Sequence, residues 1–64
     1  MNTEKLIVKE IKQTTDNGEQ LYYNSVLGVK GTKAEMIRIA MKHNYGGGVE
    51  LIERVNNKLQ YTKL

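Results

Sequence analysis

The sequence predicts a small α+β fold of order β-β-α-β-β, an antiparallel sheet of about four strands with one helix packed on one face. Three observations predict it. Thr32 followed by Glu35 is a capping box that opens a helical pattern from Lys33 to His43. Gly46, Gly47 and Gly48 end that pattern. Segments rich in Ile, Val, Leu and Tyr lie on both sides of it, bounded by Asn, Asp and Gly.

The first strand-like segment is Lys5 to Thr14. Leu6 and Val8 fall on one face of it, Ile7 and Ile11 on the other. Either both faces are partly covered or a bulge near Lys9 and Glu10 resets the phase. Thr15-Asp16-Asn17-Gly18-Glu19 reads as a turn, with Gly18 supplying positive φ. Gln20 to Lys30 reads as the second strand. Its odd positions, Leu21, Tyr23, Ser25, Leu27 and Val29, make the better core face by the period-two rule.

On the helix, Ala34, Met36, Ile37, Ala40 and Met41 fall on one side. Glu35, Arg38 and Lys42 fall on the opposite side, and Ile39 stands off the stripe. Val49 to Val55 and Leu59 to Lys63 form the last hairpin around Asn56-Asn57, a pair that accepts positive φ. The expected core is Leu21, Tyr23, Leu27, Ile37, Met41 and Leu51.

Sixty-four residues fit one domain, 1–64. A chain of this length buries only about 60% of the surface that it exposes when unfolded. With no cysteine, no disulfide reinforces it. Association into a homodimer is the expected reinforcement. The longest aliphatic run, Leu6-Ile7-Val8, is too short for a membrane span or a signal-peptide core, so the expected location is the cytoplasm of a bacterial host cell. The net charge of +3 comes from lysines spread along the chain. Its sign excludes mimicry of a nucleic-acid backbone, which needs strong acidity.

No catalytic constellation is legible. His43, the one histidine, falls at a helix C-terminus, where a cationic ring suits the dipole. Glu50 and Glu53 are three apart on a strand and face opposite ways. Ser25 has no nucleophile motif around it. The three glycines follow a helix, whereas a phosphate loop precedes one. The expectation is a protein that is not an enzyme, with no cofactor and no metal, working through a surface.

Two surfaces are candidates. The outer helix face and the glycine loop offer Arg38, Lys42, Tyr45 and Gly47 for an external partner. The sheet face away from the helix is expected to carry Tyr22, Val26, Ile52 and Arg54, with a role in self-association. Aromatic and basic residues on an open sheet also suit nucleic acid, the alternative partner.

The segments Ile7-Val8-Lys9-Glu10-Ile11-Lys12-Gln13, Thr32-Lys33-Ala34-Glu35 through Ala40, and Gly48 through Asn56 resemble those of small phage-encoded inhibitors. The likeness is closest to a compact type I-F anti-CRISPR family of similar length and the same element order. The resemblance implies a phage or mobile-element inhibitor or adaptor that binds a host protein or nucleoprotein complex. The Lys- and Asn-rich, proline-free composition fits a low-GC bacterium or its phage.

Overall fold

The structure, a computed structural model, describes residues 4–64. The elements are β1 (Leu6–Thr14), β2 (Gln20–Asn24), β3 (Val29–Gly31), α1 (Lys33–Lys42), β4 (Val49–Val55) and β5 (Lys58–Lys63). The strands form one sheet in the order β3-β2-β1-β4-β5, with α1 across one face. The α+β class and the single helix are as the sequence predicts. The sheet differs in two ways. It has five strands, and its central pair, β1 with β4, is parallel, while the other pairs are antiparallel.

Both differences start at one break. Gln20 to Lys30 is not one strand. The Asn24 side chain accepts a hydrogen bond from the Val26 N–H at 2.7 Å, the Gly28 N–H donates to the Asn24 carbonyl at 3.0 Å, and Gly28 takes a φ of 66°. This is an Asx-type turn closed by a left-handed glycine. The chain reverses there, so β3 runs in the direction of β1. The helix then carries the chain back, and β4 sets out alongside β1 in the same sense. An unbroken second strand would have left β4 running against β1.

The break also decides which residues are buried. Register places Val8 beside Asn24 and Leu51, Glu10 beside Tyr22, and Leu6 beside Val49. These residues share the face under the helix. The core is Val8, Tyr22, Met36, Ala40, Val49 and Leu51, with Leu6, Ile37 and Ile39 packed against it. Of the expected core, Leu51 is buried and Leu21 and Ile37 are half-buried, but Tyr23, Leu27 and Met41 are exposed. Over an eleven-residue strand the odd positions look more apolar. Over Gln20–Asn24 alone the even positions, Tyr22 and Asn24, face inward. The helix stripe is rotated to match. Met36 and Ala40 point inward and Ile39 joins them, while Ala34 and Met41 point outward.

Asn24 has no exposed surface. Its Nδ2 donates to the Met36 carbonyl at 2.7 Å while its Oδ1 holds the turn, so one buried amide ties helix to sheet with both groups satisfied. Thr32 caps α1 by accepting from the Glu35 N–H at 3.3 Å. The β1 irregularity falls between Glu10 and Thr14, slightly later than expected. The Gln20 amide plugs it, donating to the carbonyls of Ile11 and Gln13. Thr15 Oγ1 accepts from the Glu19 N–H at 3.1 Å and Gly18 has a φ of 81°, closing the predicted turn. Asn56 and Asn57 take φ values of 52° and 65°, the pattern of a two-residue hairpin loop with Val55 opposite Lys58.

Candidate functional site

The helix covers β1, β2 and β3 and part of β4, and does not reach β5. Among the described residues no helix or further strand packs on the opposite sheet face. Cross-strand register aligns one row there across all five strands: Lys30, Tyr23, Lys9, Ile52 and Tyr61. The row toward one end holds Arg54 beside Leu59, and the row toward the other holds Ile7, Glu50 and Lys63. A shallow groove of about 280 Å³ runs between Lys9, Ile52, Arg54, Leu59 and Tyr61. Tyr61 is 60% exposed and Tyr23 37%.

Charge divides between the two faces. Lys9, Lys30, Arg54 and Lys63 belong to the open one. The carboxylate that register adds to it, Glu50, is met by Lys5 Nζ at 3.0 Å. Glu53 faces the helix side. It accepts from the Tyr22 hydroxyl at 2.9 Å and from Lys33 Nζ at 3.1 Å. The Tyr22 bond, aided by Lys33, holds the Glu53 carboxyl below the usual glutamate range against the opposing effect of burial. Burial, then the bond to Glu53 and the negative charges of Glu53 and Glu10, push the Tyr22 phenol up to about 12. Glu10 is turned to the backbone, accepting from the Arg54 N–H at 3.1 Å. Glu10 also lines the groove, with one carboxylate oxygen turned to the backbone, and the open face is otherwise mainly basic and aromatic.

The residues singled out from sequence fall in several places. Tyr22 is not on the open face. It is 6% exposed beneath the helix, because the strand break reverses the expected phase. Val26 is half-buried in the turn between β2 and β3 rather than on the open face of the sheet. Ile52 and Arg54 lie on the open face as expected. Arg38 and Lys42 are exposed on the outer helix surface. Tyr45 is 67% exposed but borders a different groove, with Lys5, Ile7, Ser25 and His43, which neither Arg38 nor Lys42 lines. Gly47 is half-buried beside it in a loop that Asn44 organises, its Oδ1 accepting from the N–H groups of Gly46 and Gly48 at 3.1 and 3.0 Å. The helix-side set is therefore not one patch.

Tyr23, Lys9, Lys30, Tyr61 and Leu59 are the residues that sequence reasoning passed over. The signal that could have found Tyr23 and Lys30 is the Asn24…Gly28 turn, because placing it puts Tyr23 outward, whereas Lys9, Leu59 and Tyr61 join the row only through the register of the other strands. No helix among the described residues is long and apolar enough to cross a membrane. Among the described residues no group of three or more His, Asp or Glu side chains could hold a metal ion. Comparison with protein-family models, with curated proteins and with solved structures finds no match to this chain.

Proposed function

We propose that the protein is a non-enzymatic binding module of the cytoplasm and that its open sheet face takes single-stranded nucleic acid. The observation that supports this is the row Lys30, Tyr23, Lys9, Ile52 and Tyr61, which sets two cations and two flat rings, with one aliphatic side chain between Lys9 and Tyr61, across the whole sheet. Lysines neutralise phosphates, and base–aromatic stacking adds about 1–3 kcal/mol per base. Stacking on tyrosine needs a base whose face is free, which a single strand offers and a duplex hides. A phage-type inhibitor of a host protein or nucleoprotein complex is the second reading. Its support is the exposure of Arg38, Lys42 and Tyr45 together with the anti-CRISPR resemblance.

Fluorescence anisotropy with a labelled oligo(dT) and the matching duplex tests the first reading. Three or four phosphate contacts predict a log–log salt slope of about −2 to −3 between ~50 and ~200 mM salt. The duplex should bind more weakly. Lys9→Glu with Lys30→Glu should abolish binding, and Arg38→Glu with Lys42→Glu should leave it intact. No binding at low salt, or loss only in the helix pair, would return the working surface to the helix side.

A further inference from the structure

We infer that the strand is bound across the sheet, with Tyr23 and Tyr61 stacking on two non-adjacent bases and Lys9 taking the phosphate between them. This rests on the nucleic-acid reading above and specifies the ligand's footprint. Tyr23 on β2 and Tyr61 on β5 are separated by β1 and β4, which makes three strand spacings, or about 14 Å between backbones. Stacked neighbours rise only ~3.4 Å. One nucleotide step cannot join the two rings, so they hold bases with at least one nucleotide between them.

The residues between the rings suit that intervening nucleotide. Lys9 lies beside Tyr23 and beside Ile52, and Ile52 lies beside Tyr61. The order from β2 to β5 is ring, cation, apolar shelf, ring. The cation meets phosphate, and the shelf supports the base that neither tyrosine takes. Lys30 flanks Tyr23 on β3, with its Nζ donating to Gln13 Oε1 at 2.8 Å, and is placed for the next phosphate. The Tyr23 hydroxyl lies over Gly28, where an added Cβ would stand 3.8 Å from it, so the ring leans toward β3 and away from the groove that Tyr61 lines.

Two of the side chains near this row that could read base edges, Ser25 and Gln20, are already engaged, while the Arg54 side chain lines the adjoining groove. Ser25 exchanges hydrogen bonds with Ile7, its Oγ accepting from the Ile7 N–H and its own N–H donating to the Ile7 carbonyl, both at 3.0 Å. The Gln20 amide fills the β1 irregularity. Binding therefore follows length and stacking first, with the Arg54 side chain placed to add an edge contact.

The test is anisotropy on length series of oligo(dT) and oligo(U), from two nucleotides upward, with the intact chain. The expected result is a step in affinity at about three to five nucleotides, where one strand first reaches both rings. Tyr23→Ala or Tyr61→Ala should each remove the step and lower the affinity of long oligomers at least fivefold, and Tyr61→Phe should keep it, because stacking needs the ring and not the hydroxyl. A step in one series alone assigns that nucleic acid as the occupant. A smooth rise with length, unchanged in both alanine variants but lost with Lys9→Glu, would overturn the two-ring footprint while leaving nucleic-acid binding in place. No binding at any length would overturn both.

Discussion

Beneath α1, Val8 and Asn24 have no exposed surface, whereas on the opposite face of the sheet, at its β5 edge, Leu59 and Tyr61 are more than half exposed. The two halves belong to one sheet but are held by different forces. The ten residues of α1 span about 15 Å, and five strands span about 19 Å, so one short helix cannot cover them all. The covered half is stabilised by burial, by Asn24 and by the Tyr22–Glu53–Lys33 group. The β4–β5 hairpin depends on its ladder and on the left-handed Asn56-Asn57 loop. Stability is thus concentrated on one side of the sheet, and the apolar and aromatic area left wet lies on the other.

The strongest way to break this comparison is to empty the covered half. Leu51→Ala or Met36→Ala should cost about 2–5 kcal/mol, enough to unfold much of a domain this small. Urea denaturation measures it, and a loss below about 1 kcal/mol in both would remove the division between the halves. Asn24→Ala comes next, at about 1–3 kcal/mol, because it removes the side-chain bond to the Met36 carbonyl and leaves the Val26 N–H without its partner.

A smaller effect sharpens the electrostatic part. Tyr22→Phe should cost about 1–2 kcal/mol at neutral pH by leaving Glu53 with Lys33 alone. The phenol's raised pKa means that the folded state keeps its proton after the unfolded chain has lost it. The associated stability is whole below about pH 10 and falls as pH rises toward about 12. The depressed Glu53 carboxyl works in the opposite sense, contributing above the ordinary glutamate range and being lost as pH falls below it. Melting curves across pH should show the parent losing stability relative to Tyr22→Phe on the alkaline side. Parallel curves there would mean that the Tyr22–Glu53 bond contributes nothing.

The smallest effect is expected on the bare half. Tyr61→Ala and Leu59→Ala should change stability by no more than about 0.5 kcal/mol. If either destabilises as much as Leu51→Ala, the hairpin is part of the same core and the open face is structural.

Local signals were read well from the chain. The Thr32 cap, the Gly18 turn, the bounds of Val49–Val55 and the Asn56-Asn57 loop are written in adjacent residues, and each appears where expected within a residue or two. The miss at Ser25–Gly28 was also local, yet its consequences were global. A continuous apolar segment hid a turn whose signature is one Asn and one Gly. Half of the candidate site followed that miss. Ile52 and Arg54 were placed on the open face because their strand was read correctly, and Tyr22 took the place of Tyr23 because theirs was not.

By itself the sequence determined the class, the single helix and its cap, the closing hairpin and the basic balance, because these depend on contacts between neighbours in the chain. Tertiary structure decided the rest. The parallel meeting of β1 and β4 follows from the parity of chain reversals before the helix, which no single residue encodes. The inward turn of Asn24 follows from a helix carbonyl twelve residues away that satisfies it. The row from Lys30 to Tyr61 exists only because register across five strands brings distant residues onto one line. Periodicity along a strand says which residues share a face, and only the packing of the other elements says which face is left open.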